Sequence, residues 1–579
     1  MCYTSHSFSS FTLICPNASV PTTKTCFVGL IHRNKLSLSS INTISVRANA
    51  LNNDDQLLKF KKSSALNLLS IFSSSQNLLM TTLSNIVDPP LSPSVDRRHV
   101  FTGNFATVDE LDPADCQVVM GELPSCLNGT YLRNGPNPQH MPNGPLHFFE
   151  GDGMVHSLRL RGGQATYCSR YVKTYKYMLE QEAGLPIFPN ILSGFYGSRD
   201  ILSCVVAIVR VMFGRINLMR GFGLANTSLA FFCNKLLALG ESDLPYVLNL
   251  TEEGDIQTLC RWEFHRKLFA TMTAHPKVDF DTKETFAFSC RPVFPYITYF
   301  SFNQDGYKQT DVPLLSIDQP TLIHDFAITK RFAIFAETNL AVSPGKVATG
   351  NGMPVFSKPT KVPRIGIIPR YAASDRDMEW FEVPGFNAMH VVNAWENGED
   401  EIVLVAPNAL NIGNLLSSIE TVHFSLEKLN INTRTGKVSR VVLSQRSLEL
   451  PCINPSYVGK KTRYAYLGIA EKAPKMSGIV KIDLENGCEV SRRLYEPGCY
   501  GGEPYFVPKQ PNNTNIVKQV IDCTAEDDGF LLNYVHDENS GESRFLVLDA
   551  MSPELEVVAT IKMPRRVPYG FHGLFVRHV

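Results

Sequence analysis

From about residue 120 onward the chain is written as hairpin after hairpin, and this repetition limits its possible folds more than any other feature. FLLNYVHDENSGESRFLVLDA (530–550) sets two apolar runs around a glycine-containing turn. IVKIDLENGCEVSRRLY (479–495) turns at Asn486-Gly487 and KLNINTRTGKVSRVVLS (428–444) at Thr435-Gly436. KVDFDTKETFAFS (277–289) and YFSFNQDGYKQTDV (299–312) repeat the pattern. Asn-Gly between β-forming runs is the strongest short hairpin signal. A chain with this many strands and few helices must close its sheets, because long open edges pair with other chains. The strands outnumber those of a sandwich, so an all-β propeller is expected. No crisp repeat marks the blades, and the period alone does not give their number.

Composition narrows the function classes. Lys+Arg and Asp+Glu are equal at 55 each, and this neutral balance gives no electrostatic case for nucleic acid. The 14 cysteines include no C-x-x-C, which argues against a disulfide framework or a thiolate zinc site. Residues 1–50 are serine-rich, carry Lys24, Arg33, Lys35 and Arg47, and have no acidic residue before Asp54. That is the composition of an organelle transit peptide. Residues 51–95 read as an amphipathic helix, its apolar positions helically spaced over 55–88, and a linker that Pro89-Pro90 opens. The propeller domain is then 96–579, with a helical insertion at about 191–222. Within it, ILSCVVAIVRVMFGRINLM (201–219) is too short in its uncharged part to span a bilayer. Two readings stay open for it: packing on the protein body, or lying in a membrane surface with Arg210 and Arg215 at headgroup level.

Of 14 histidines, four sit in or beside apolar β runs with small or aromatic neighbours: His275 in TMTAHPKVDF, His324 in TLIHDFAIT, His390 in GFNAMHVVNAW and His572 in YGFHGLF. They are spread over half the chain, so neither one helix nor one loop could gather them. A propeller could, because one residue per blade can point at the central axis. A single histidine of this kind is more often a core residue with a satisfied hydrogen bond. His572 is harder to explain that way, since Gly570 and Gly573 flank it as if another backbone came close. Four imidazoles without a carboxylate suit Fe, Cu or Zn. Imidazole ligands need their second nitrogen anchored, commonly by a carboxylate. Glu241 in LALGESDLPY, Glu449 in SLELPCINP and Glu503 in CYGGEPYFVP are candidates, although each alone reads as a surface residue.

YLRNGPNPQ (131–139), FFEGDGMVHSLRL (148–160), GLANTSLAFF (223–232), MTAHPK, LIHDFAITKRFAIF, VPRIGIIPRY, YGGEPYFVP and RRVPYGFHGLF together resemble the plant carotenoid cleavage dioxygenases over about 96–579. CSRYVKTYKY, NTSLAFFCNKLLALGESDLPY and INPSYVGKK resemble the family's type-4 branch. The resemblance implies a seven-bladed β-propeller with a helical or loop dome over the metal face. It implies one Fe(II) per chain, held by His275, His324, His390 and His572, with Glu241, Glu449 and Glu503 behind them. Four histidines and three glutamates leave one imidazole without a carboxylate. The GDG turn at 151–153 and His156 read as structural. The implied reaction splits a C=C bond of a carotenoid or apocarotenoid with O₂, at the 9,10 and 9′,10′ positions, and needs no acid or base side chain. Cleavage of a 9-cis-epoxycarotenoid, and a silent carotenoid-binding propeller, are the alternatives. Plastid location follows from the same resemblance, as does contact of 201–219 with a plastid membrane or lipid droplet.

Overall fold

A computed structural model describes residues 95–578 apart from 142–144, 195–197, 266, 269–270, 344, 346–352 and 510–524. The chain forms two compact units, Met1–Leu79 and Met80–Val579. The first lies outside the described residues, and so do the expected transit peptide at 1–50 and the helix expected over 55–88.

The second unit is a seven-bladed propeller of antiparallel sheets. Blade 1 runs Gly573–Arg577, Gly129–Pro136, Gly153–Arg161 and Gln164–Tyr171. Blade 2 is Ser228–Phe232 through Ile256–Arg261, blade 3 Lys277–Val278 through Val312–Pro313, and blade 4 Phe326–Ile328, Phe332–Glu337, Arg364–Pro369 and Glu379–Glu382. The strand Val438–Cys452 is shared. Its first part is the outer strand of blade 5, which begins at Asn393–Glu396. Its last part is the inner strand of blade 6, which ends at Cys488–Leu494. Blade 7 runs from Cys499–Gly501 and Tyr505–Pro508 to Val557–Lys562.

Two strands fasten the ring. The last strand, Gly573–Arg577, pairs with Gly129–Pro136 and supplies the inner strand of blade 1. Leu111–Gly121 pairs with Gln164–Tyr171 of blade 1 through one half and with Val557–Lys562 of blade 7 through the other. Edges that would otherwise stay open are thereby paired.

Seven apolar layers hold the blades face to face, and their order shows that the ring closes. Leu132 and Val155 of blade 1 pack with Ala238 and Leu248 of blade 2. Phe232 and Leu237 meet Ala287 and Phe300 of blade 3. Phe286 and Phe288 meet Phe326 and Phe335 of blade 4. Ile334 and Ile365 meet Ile402 and Leu404 of blade 5. Val403 and Val405 meet Leu467 and Val480 of blade 6. Tyr466 and Ile479 meet Phe506 and Leu531 of blade 7. Leu532 and Phe545 return to Tyr131 and Leu158 of blade 1.

Side chains alternate across a strand, so a strand in the middle of a blade serves two layers. In Phe332–Glu337, Ala333 and Phe335 face blade 3 while Ile334 and Ala336 face blade 5. Burial on both faces is why such strands are continuously apolar in the sequence. Each fully buried Phe, Leu or Ile contributes about 1.5–3 kcal/mol.

Between blades 1 and 2 the chain departs from the wheel. It forms helices Tyr175–Ala183 and Ser198–Met212 and a short turn, Leu218–Arg220. Thr174 caps the first helix by accepting Tyr177 N–H, and Gly184 closes it with a left-handed φ of 68°. Glu180 accepts the N–H groups of Ile187 and Phe188 at 2.8 and 3.0 Å, and Glu150 those of Leu192 and Ser193 at 2.8 and 2.9 Å. Arg210 donates to the Ile187 carbonyl at 3.1 Å. Polar groups thus root the insertion, while several of its apolar side chains stay in water. Met212, Phe213 and Met219 are 79%, 78% and 73% exposed, alongside Val205, Ile208 and Leu218. Residues 201–219 therefore pack on the body in part, with Ile216 buried and Leu202, Val206 and Val211 half-buried, and leave the six side chains just named in water. Among the described residues, no helix is long and apolar enough to cross a membrane.

Candidate metal centre

Each of the four histidines lies just before the inner strand of a blade. His275 precedes Lys277–Val278, His324 precedes Phe326–Ile328, His390 precedes Asn393–Glu396 and His572 precedes Gly573–Arg577. These are blades 3, 4, 5 and 1. The three glutamates come from the other blades: Glu241 from a turn of blade 2, Glu449 from the inner strand of blade 6, and Glu503 between the two inner segments of blade 7. Every blade therefore contributes one of the seven residues.

The structure brings the four imidazoles together, each offering a nitrogen within 4.8 Å of the others. His275 Nε2 lies 3.0 Å from His324 Nε2, which lies 3.2 Å from His390 Nε2. The rings meet edge to face, with centroids 4.5 Å apart for His275 and His572 and 5.0 Å apart for His390 and His572.

Behind them stand the carboxylates. His390 Nδ1 is 2.9 Å from Glu449 Oε2, and His572 Nδ1 is 2.8 Å from Glu503 Oε1. His324 Nδ1 bonds Glu241 Oε1. A carboxylate accepts, so each of these imidazoles carries its proton on Nδ1 and turns a bare Nε2 inward. Among the described residues, His275 has no such carboxylate partner.

Electrostatics separate the rings. Burial, reinforced by the three neighbouring imidazoles, holds His275 well below the ordinary histidine range. Burial acts on His390 in the same direction, but the charge and hydrogen bond of Glu449 outweigh it and raise the group.

The donor set fits a cation. With their single protons on Nδ1, neutral His324 and His390 cannot bond one another through Nε2 atoms 3.2 Å apart. Two lone pairs held that close in a buried site need a positive charge between them. Metal–nitrogen bonds of about 2.1 Å at right angles put neighbouring nitrogens about 3.0 Å apart, against about 3.4 Å in a tetrahedron. The spacing of 3.0 Å matches the first, and that of 3.2 Å lies midway between the two. A four-imidazole set with right-angled neighbours leaves coordination positions free.

The tail that carries His572 is tightly bound. Phe571 N–H donates to Asn134 O at 2.8 Å, Asn134 N–H to His572 O at 3.1 Å, and Gly573 N–H to Glu503 Oε2 at 2.7 Å. A Cβ on Gly573 would sit 2.5 Å from Tyr131 Oη, and one on Gly570 2.8 Å from Asn134 O. The close backbone approach expected here is present at Gly570, whereas at Gly573 it is the Tyr131 side chain that comes close.

Apolar groups cover this face. Phe149 packs on Phe571 with centroids 5.6 Å apart, and Met389 joins Phe149, Leu322 and Leu450 beside Leu340 and Phe424. Phe326, also an apolar neighbour of a histidine in the sequence, is buried between blades 3 and 4 and belongs to the core. His156 bonds Tyr167 Oη at 2.7 Å inside blade 1 and lies outside the group of four, as its structural reading requires. Sequence reasoning missed Asp325 and Lys277, which form a 2.7 Å ion pair beside the centre. Their signal was available: Asp325 is an acid placed between His324 and a fully apolar strand.

Residues 104–577 match the family of the retinal pigment epithelial membrane protein, RPE65. The chain is 51% identical over 512 residues to the probable carotenoid cleavage dioxygenase 4, chloroplastic, of Arabidopsis thaliana, covering 86% of this chain and 85% of that protein. It is 50% identical over 513 residues to the 9-cis-epoxycarotenoid dioxygenase NCED1, chloroplastic, of Oryza sativa subsp. japonica, covering 86% and 79%. Among solved structures it is similar to the cobalt-substituted ACO of Synechocystis, with TM-score 0.68 and 25% identity over 84% of this chain and 99% of that one.

Proposed function

Because the chain belongs to the RPE65 and carotenoid cleavage dioxygenase family, we propose that it cleaves a carotenoid or apocarotenoid at the 9,10 and 9′,10′ double bonds, with one Fe(II) held by His275, His324, His390 and His572. It is a carotenoid cleavage dioxygenase, an enzyme of oxidative C=C cleavage, and a chloroplast protein. The observation that supports the metal reading most is the convergence of four nitrogens within 4.8 Å, with three imidazoles protonated outward onto glutamates.

The residues divide the work. Glu241, Glu449 and Glu503 hold the Nδ1 protons of His324, His390 and His572, which keeps Nε2 free to donate and fixes the ring planes. His275, His324, His390 and His572 would hold ferrous iron, which would supply a site for O₂. One C=C bond and one O₂ give two carbonyls, so both oxygen atoms are used and no proton moves. That balance explains why no side chain has to act as acid or base. Phe149, Phe571 and Met389 keep water from the face where the polyene lies, and the wall they form selects which double bond reaches the centre.

A carotenoid dissolves in lipid, so the enzyme has to meet it at a surface. Helix Ser198–Met212 and residues 213–219 are the surface we assign to a plastid membrane or lipid droplet, with the exposed apolar side chains in the acyl boundary and Arg215 and Arg220 at headgroup level. Residues 1–50 serve as the import sequence in this reading.

The near-equal identities, 51% and 50%, make cleavage of a 9-cis-epoxycarotenoid the second reading. Incubating the Fe(II)-loaded protein with an all-trans carotenoid and with a 9-cis-epoxycarotenoid, and weighing the fragments by mass spectrometry, separates them. The first reading requires 9,10-cleavage products from the all-trans substrate. Products from the epoxy substrate alone would replace it with the second, and no O₂ uptake with either would remove both.

A further inference from the structure

Among the described residues, three of the four imidazoles are oriented by a glutamate, and His275 is not. Its backbone nevertheless sits in a compact arrangement around one buried acid. Asp325 Oδ1 pairs with Lys277 Nζ at 2.7 Å and accepts Phe326 N–H, also at 2.7 Å. Asp325 Oδ2 accepts Val391 N–H at 2.9 Å. Lys277 follows His275 by two residues, Asp325 follows His324 directly, and Val391 follows His390 directly. One carboxylate therefore ties together the inner-strand starts of blades 3, 4 and 5. Thr273 completes the link, accepting His275 N–H at 3.1 Å and donating to the His324 carbonyl at 3.5 Å.

We propose that Asp325 and Lys277 are positioning residues that stand in for the absent fourth glutamate. They place His275 through the backbone instead of through its ring. The physical need is specific. Metal–ligand distances tolerate about 0.2 Å, and a productive site about 0.5 Å. A ring with no partner on its outer nitrogen can be held that closely only if its strand is. The ion pair supplies this hold across the blade 3–4 boundary, and the Val391 bond extends it to blade 5, so the spacing of three ligands depends on one side chain.

The inference rests on the metal-centre reading, and its test separates the two. Full-length protein is stripped with a chelator and titrated with Co(II), following the visible ligand-field spectrum and the affinity. No Co(II) binding by the unaltered protein would sink the metal reading itself. If it binds, Lys277→Met is expected to weaken affinity tenfold or more and to shift the spectrum. Lys481→Met is the control: Lys481 makes a pair with Asp527 at 2.6 Å that is buried at the lysine more deeply than the Lys277 pair, between blades 6 and 7 and away from the centre. It should lower the melting temperature comparably and leave spectrum and affinity unchanged. A Lys277→Met protein with unaltered spectrum and affinity would overturn the proposal and leave the pair a fold element only. Should Lys277→Met fail to fold, Lys277→Arg decides. It keeps the charge but forces Asp325 to shift, so a changed spectrum at an unchanged melting temperature is expected, and an unchanged spectrum overturns the proposal.

Discussion

The hub of the propeller and the helix Ser198–Met212 break the ordinary rule of burial in opposite directions. At the hub, Glu449, Glu503 and His572 are buried although they are polar. On the helix and the turn after it, Met212, Phe213 and Met219 are exposed although they are apolar. The hub affords its polar groups because nearly all are paired, imidazole to carboxylate and carboxylate to backbone N–H. The helix gains nothing from exposure in water, and its polar roots at Glu150, Glu180 and Arg210 hold it there. The cation we propose for one region and the lipid surface we propose for the other would each offset the cost of breaking that rule.

The comparison breaks most severely at the hub. His572→Ala should abolish metal uptake and cleavage while the circular-dichroism melt stays close to that of the parent, because the tail keeps its bonds to Asn134 and Glu503. Retained iron and turnover in this variant would take His572 out of the centre. Next in size is Glu503→Gln, which should cost about 10–100-fold in metal affinity or activity. Isothermal titration that finds no difference from the parent would show that the imidazole needs no anchor.

At the other region, charging Met212 and Phe213 to Glu should move the protein from liposomes to solution. Metal content and cleavage of a detergent-solubilised carotenoid should not change. Equal partitioning before and after would remove the helix as a lipid contact. The smallest effect sharpens the contrast between exposed and buried apolar groups. Ile208→Ser should alter stability by less than about 0.5 kcal/mol. Phe335→Ala, between blades 3 and 4, should cost about 3–5 kcal/mol in chemical denaturation.

Much of the architecture was legible because it rests on local rules. The turn glycines Gly436 and Gly487 do take left-handed φ values of 71° and 66°, and the five quoted hairpins do pair. At Asn486-Gly487 only the glycine is left-handed, so the hairpin closes through a longer loop than the two-residue turn that Asn-Gly most strongly signals. The blade number was not legible from period, because consecutive blades share strands. Val438–Cys452 serves two blades and Leu111–Gly121 two more, and such sharing erases a regular repeat.

The seven hub residues could be picked by type and setting, but their pairing could not. Glu241 reaches His324 across blade 3, a neighbour relation that exists only once the ring has closed. The extent of the helix was readable from its periodicity, whereas the direction its apolar side faces was not, since core packing and surface exposure require the same spacing.

By itself the sequence determined the strands, their turns, the closed all-β class and the residue types able to bind a cation, because dihedral preference and side-chain chemistry act over a few residues. Only the tertiary structure decided which histidine goes without a glutamate, which acid ties three blades together and which apolar surface is left to water. Those are relations between segments far apart in the chain, and a closed ring sets them all at once.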